Sequence, residues 1–245
     1  GSISNLKGDH LNALRSFQNV VSYSKRSHNQ LMYSAGLFCI GAIHNFREEH
    51  QEALEYMNQA VKIKKSINDV KGLGNAYTAM GKTHEVQHQY DSAMYYYLKG
   101  LEIREASKDI RTISNSLVVI GKLQIKLGKY QDAKENLLQA HEYYTRLEEQ
   151  TGILIVDTWL ALAMDHLGDE NAAQQKIDYA LSEARRLKNP ALECDCYEVM
   201  AKMAAHNGDY KKAYEITKTL KTLNDSLDMV NREHVIQEME ARFSL

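Results

Sequence analysis

The residues of this chain whose types could carry chemistry are ten histidines, three cysteines and a run of three tyrosines. His84 and His88 stand four apart, the spacing at which two imidazoles on one helical face can share a metal ion. A metal site needs a third or fourth ligand, and none is evident nearby, so no metal and no cofactor is expected. Cys194 and Cys196 are not a C-x-x-C pair, and at i and i+2 on a helix their thiols point to different faces. The odd cysteine count argues against a disulfide-stapled secreted domain. Tyr95-Tyr96-Tyr97 offers rings on which bases could stack, but the pattern described below claims Tyr97 for the core. The phosphate-cradling loop G-x-x-x-x-G-K-[ST] and the fingerprint G-x-G-x-x-G are both missing. Gly72-Leu73-Gly74 lacks the third glycine and follows no strand. No catalytic residue is predicted, and the chain reads as a binding protein, not an enzyme.

These residues sit on a repeating frame. Ala13, Ala53, Ala93, Ala133, Ala173 and Ala213 are each 40 residues apart. Four positions on come Phe17, Met57, Tyr97, Leu137, Ile177 and Thr217, and seven on come Val20, Ala60, Gly100, Ala140, Ala180 and Leu220. Offsets of four and seven share one helical face, so one stripe of a helix is buried in every copy. Twelve before the alanine stand the small residues Gly41, Gly81, Gly121, Ala161 and Ala201, which let two helices approach. Five before it stand Gly8, Gly128, Gly168 and Gly208, with Glu48 and His88 in the other copies, and a left-handed residue there ends the first helix. Asn29, Asp69, Asp109, Glu149 and Asn189 recur where the next copy begins, as helix N-caps or turn residues. Each copy is therefore predicted to be helix, tight turn, helix.

The frame resembles the tetratricopeptide repeat family, most clearly from Ile120-Gly121 to Gly128-Lys129-Tyr130 and Ala133, and from Met80-Gly81 to Tyr90 and Ala93. The usual period of that family is about 34 residues, so each copy here is longer, and the family's final proline is missing. The resemblance implies an all-α, right-handed superhelical solenoid of about six helix-turn-helix repeats. The solenoid is expected over residues 1–222, with a first repeat that is incomplete and at least one further helix upstream. In that frame residues 3–7 end a first helix. Forty-residue versions of the repeat occur in Rap-type peptide-receptor regulators, LGN-type scaffolds and bacterial sensor proteins.

Residues 223–245 read as one C-terminal amphipathic helix. Leu227 and Val230 continue a stripe from Leu220 and Leu223, and Ile236, Met239 and Phe243 follow at helical spacing. Asp225-Ser226-Leu227 and the run from Ile236 to Phe243 look like the junction where repeats enter a coiled coil in bacterial sensor kinases and helix-turn-helix regulators. A cap over the last apolar face and the start of a coiled coil are both open. In the second case Leu227, Val230, Met239 and Phe243 form the seam of a homodimer.

In the family the first helices line a concave groove that holds a peptide or a partner protein. By the frame, groove-facing positions include Ala35, Phe38, Asn45, Asn75, Thr78, Lys82, Glu85, Asn115, Val118, Lys122, Ile125, Thr158, Asp165, Asp195, Glu198 and Lys202. Asn75 and Asn115 are one period apart, as are Lys82 and Lys122, and Lys202 returns two periods later. An asparagine offers a donor and an acceptor to a peptide backbone, and the lysines can meet carboxylates. The expected ligand is an extended, partly acidic peptide. A formal charge of −2 gives no drive toward nucleic acid. No stretch approaches the roughly 20 apolar residues of a membrane span, so a soluble segment, cytoplasmic or periplasmic, is expected. The functions that fit are the sensor segment of a larger bacterial signalling protein, a stand-alone adaptor of the LGN type, or a Rap-type regulator.

Overall fold

The computed structural model describes the backbone of residues 2–243 and the side chains of residues 11–227. Among the described residues there are eleven helices and no strand: α1 (Ser2–Arg26), α2 (Gln30–Phe46), α3 (His50–Ser66), α4 (Val70–Val86), α5 (Tyr90–Ser107), α6 (Ile110–Lys126), α7 (Tyr130–Arg146), α8 (Gln150–His166), α9 (Glu170–Arg186), α10 (Pro190–His206) and α11 (Tyr210–Phe243). None of them is long and apolar enough to cross a membrane.

The 40-residue period is two steps of 20, because left-handed residues recur at His28, Glu48, Asn68, His88, Lys108, Gly128, Glu148, Gly168, Lys188 and Gly208. The frame expected such a residue only at the turn inside each copy. It occurs equally at the turn between copies, where the sequence supplies no glycine. Around Glu48 the Glu48 N–H donates to Asn45 O at 3.1 Å and the Glu49 N–H to His44 O at 2.9 Å, the paired bonds of a Schellman turn. The next residue takes the N-cap position of the following helix, without a side-chain bond at Glu49, Gln89, Lys129 and Asp169. Asn29, Asp69 and Asn189 accept from the N–H groups of Met32, Gly72 and Leu192. Asp109 accepts from the Arg111 and Thr112 N–H groups, whereas Glu149 makes no side-chain cap bond. One three-residue turn thus closes one helix and opens the next.

The chain forms two compact units, Gly1–Ile120 and Gly121–Leu245. In unit 1, α1 packs on α2, α2 on α3, α3 on α4, α4 on α5, and α2 on α4. Its core holds Ala53, Met57, Ala60, Ala93 and Tyr97, all on the stripe that the frame assigned. Gly81 is required there, since a Cβ would lie 2.5 Å from the Tyr97 ring. In unit 2, α8 contacts α7, α9 and α10, and α10 contacts α9 and α11. Ala133, Leu137, Ala140, Ala173, Ile177 and Ala180 are its fully buried stripe.

Two expectations give way at the ends. No turn follows residues 3–7, and α1 runs unbroken through Gly8; a lone glycine costs a helix about 1 kcal/mol without ending it. At the other end, α11 is one helix of 34 residues with no break at 222. Thr217 faces solvent on it, and the inward stripe is Ala213, Ile216, Leu220, Leu223 and Leu227. Leu227 is half-buried, while the side chains of Val230, Met239 and Phe243, the rest of the expected seam, lie outside the described residues.

Candidate functional site

The buried stripe carries a residue that the frame did not follow out, eleven positions after each repeat alanine. It is Lys64 in one copy and Arg104 in the next. Lys64 is 5% exposed, and its Nζ donates to Asp69 Oδ2 at 2.8 Å. Burial works against the Asp69 carboxylate, but Lys64 and the Gly72 N–H outweigh it and hold its pKa below the usual value. A Cβ on Gly72 would collide with this pair, 2.0 Å from Asp69 Oδ2 and 2.5 Å from Lys64 Nζ.

Arg104 is 9% exposed. Its Nη1 donates to Thr78 Oγ1 at 2.8 Å and Ser116 Oγ at 2.7 Å, and its Nη2 donates to Asn75 Oδ1 at 3.0 Å. Both hydroxyls spend their own hydrogens on backbone carbonyls, Thr78 on Gly74 O and Ser116 on Thr112 O, so their lone pairs are left for the guanidinium. Of five N–H groups, three meet acceptors, all neutral. Burial pushes the Arg104 pKa down, and the charge of Asp109 works against that shift; an arginine stays charged regardless. A cavity of about 190 Å³ lined by Val70, Lys71, Asn75, Arg104, Ser107, Asp109 and Thr112 opens beside it. Two cations and one carboxylate face that cavity.

The predicted groove positions fare unequally. Asn75 and Lys82 are exposed on α4, with Thr78 half-buried between them, and Asn115 is exposed on α6. Phe38 is half-buried against a core of Met57, Val61, Leu73, Ala76, Tyr77 and Met80. Asn45 spends its amide internally, its Nδ2 donating to Thr83 Oγ1 at 2.7 Å and its Oδ1 meeting His50 Nδ1 at 2.9 Å. Val118, Ile125, Thr158 and Asp165 are buried and lie off any open face.

His84 to His88 spells H-E-x-x-H, a metalloprotease form that the reading of the sequence missed and wrongly counted as absent. That chemistry needs both imidazoles on one helical face, and α4 ends at Val86. His88 is in the left-handed turn with its Nδ1 at 3.0 Å from Tyr90 Oη. His84 is bonded to Gln89 and stacked on Tyr96, and Glu85 accepts from Tyr97 Oη at 2.7 Å. His84, Glu85 and His88 are thus each taken up in closing a turn or bracing a helix.

In unit 2 the missed residue is Trp159, in the slot held by Cys39, Ala79, Val119 and Val199 in other copies. Its ring is 4% exposed and lies under Lys122, at 4.0 Å from the ring centroid, and Lys202, at 5.3 Å. Those lysines pair with Asp195 at 3.8 Å and Glu198 at 2.6 Å. The Trp159 Nε1–H has no hydrogen-bond partner among the described residues. Nearby on the repeat frame, Asp165 lies fully buried in the last turn of α8, bonded to His206 Nδ1 at 2.8 Å and to Asn207 Nδ2 at 3.0 Å. His166 stacks on Tyr130 and meets the His206 ring, with centroids 4.0 and 3.8 Å away. The thiols take no part in either site. Cys196 is buried against Thr158, and burial pushes it up to about 11 despite the Thr158 hydrogen bond.

Residues 33–106 and 114–144 match family models for the tetratricopeptide repeat. No curated protein sequence matches the chain significantly. Among solved structures, BtubC (BKLC) from P. vanneervenii superposes with a TM-score of 0.70 at 16% identity, over 89% of this chain and 92% of that one. The Rap conjugation gene regulator of the plasmid pLS20, in complex with the Phr* peptide, gives 0.65 at 16%, over 84% and 57%. A signal transduction ATPase with a tetratricopeptide repeat sensor, from Pyrococcus horikoshii, gives 0.66 at 15%, over 90% and 34%. The chain therefore spans about half of the Rap regulator and a third of the ATPase. At such identities the likeness is one of fold.

Proposed function

Taking the chain as the tetratricopeptide-repeat protein that residues 33–106 and 114–144 make it, we propose that it binds a peptide or protein as the sensor or regulatory segment of a larger bacterial signalling protein. The ligand proposed for unit 1 is an extended peptide with an acidic side chain. The observation that carries this is Arg104, a buried guanidinium whose acceptors are all neutral and which borders a cavity with Lys71. A carboxylate there completes the hydrogen bonding of a charge already removed from water, and a guanidinium is built to grip it. Asn75 and Asn115 hold the peptide main chain, and Lys82 supplies a second positive charge. Support by analogy comes from the Rap regulator, solved with a peptide, and from the ATPase, whose repeats are named a sensor. The reading places binding, not catalysis, on this segment.

Panning a displayed peptide library against the chain tests it. Selected peptides are expected to share an Asp or Glu whose amide counterpart binds at least about tenfold more weakly, since a hydrogen bond to a charged group is worth about 1.5–3 kcal/mol. Selected peptides without an acid, or indifferent to the amide, would count against an acidic ligand. The homodimer remains a second proposal, resting on the helical spacing of Leu227, Val230, Met239 and Phe243 in the sequence. Light scattering should show a dimer for the chain and a monomer for a version ending at residue 223.

A further inference from the structure

The groups around the end of α8 form a cluster that the peptide reading does not use. Asp165, His166 and His206 each bring a ligand atom to within 4.8 Å of the other two. The grouping comes from the repeat itself. His166 and His206 are one period apart, so they occupy the same place on α8 and α10, which pack together. A search for ligands at short spacings along one helix passes over such a pair.

We propose that Asp165, His166 and His206 bind one divalent transition-metal ion, of the zinc class, at the C-terminal ends of α8 and α10. Two imidazoles and a carboxylate are a nitrogen-rich donor set that suits zinc, cobalt, nickel or copper and not magnesium or calcium. Metal–ligand bonds of about 2.0–2.2 Å at tetrahedral angles put ligand atoms about 3.3 Å apart. The widest separation must then close by about 1.5 Å, and the 2.8 Å contact of Asp165 with His206 must open by about half an ångström. Rotations of the side chains supply both. The second sphere is already present: the Asn207 amide donates to the other Asp165 oxygen, and the Tyr130 ring lies parallel to His166 at 4.0 Å. Both helix ends carry partial negative charge, which favours a cation. Asp165 is fully buried but the His206 side chain is 38% exposed, so the ion has a route in and a water a place for the fourth bond. The ion would tie the last turn of one repeat to the same turn of the next.

The test uses the full chain stripped with a chelator, and cobalt(II) and zinc(II) salts as probes. One ion per chain is expected by calorimetry, with the intense visible bands of four-coordinate cobalt and a raised melting temperature. Histidine-to-glutamine changes at 166 and at 206 should each weaken binding more than tenfold, and Asn207→Ala should weaken it about tenfold through the orientation of Asp165. His84→Gln is the control and should leave binding unchanged. Circular dichroism confirms that each variant is folded before titration. The proposal is overturned if neither ion binds in the micromolar range, or if binding survives loss of His166 and His206 or is lost with His84. None of these outcomes bears on the peptide reading, which rests on unit 1.

Discussion

Lys64 and Arg104 occupy the same place in successive repeats, and the structure uses them in opposite ways. Lys64 finds the cap carboxylate Asp69 and closes into an ion pair. Arg104 has the equivalent carboxylate, Asp109, ahead of it, yet reaches Asn75, Thr78 and Ser116 instead. Part of the difference is length and shape, since a guanidinium spreads several donors over a plane where an ammonium concentrates its charge. The rest is room. A Cβ at Gly74 would lie 3.4 Å from the Arg104 side chain, and one at Gly100 would lie 3.4 Å from Arg104 Nη1. One repeat thus closes its buried cation into an ion pair, and its neighbour holds one among neutral acceptors beside a cavity.

The largest expected effect separates the two. Asp69→Ala strands Lys64, which is 5% exposed, and should cost about 3 kcal/mol in urea unfolding. Arg104→Met leaves the acceptors on Asn75, Thr78 and Ser116 without their donor and should cost less, about 1–2 kcal/mol, while abolishing peptide binding. Equal losses from the two would mean that Arg104 is structural too. The pH dependence should differ in the same way. Asp69 has a folded pKa below its unfolded one, so its contribution is complete above the ordinary carboxylate range and is lost as pH falls through the folded value. Asp69→Asn should flatten that acid limb of the stability curve, whereas Arg104→Met should leave it in place.

The smallest effect concerns the turns that follow each cation. Asn68 and Lys108 are both left-handed, with φ of 57° and 58°. Asparagine tolerates that conformation and lysine does not. Lys108→Gly should therefore stabilise by about 0.5–1 kcal/mol, and Asn68→Gly should do little, as read from melting temperatures. If Lys108→Gly destabilises, the two turns are not equivalent and the comparison of the cations loses its footing.

The fold was open to reading because each repeat buries the same stripe, and Ala53, Met57, Ala93 and Tyr97 show it in sequence and structure alike. The site was much less so. The central residue of each unit's candidate site, Arg104 in unit 1 and Trp159 in unit 2, lies on or beside that stripe, where the pattern assigns a side chain to packing and asks nothing more. A charge at a buried position, eleven after the alanine, was the available signal. The exposed ladder misled in part, because Asn45 is spent inside the fold and Thr158 and Asp165 are buried. His166 and His206 were invisible as a pair at any short spacing. The H-E-x-x-H run is spelled out from His84 to His88 and was nonetheless missed, and the helix end at Val86 dismantles it.

The most direct test of the account is the Arg104 Nε–H resonance in a nitrogen-15 spectrum, followed while a library-selected acidic peptide is added. The account predicts a large shift that saturates with binding and that the same peptide in amide form does not reproduce. A peptide that binds tightly while the Arg104 resonance stays in place would contradict it.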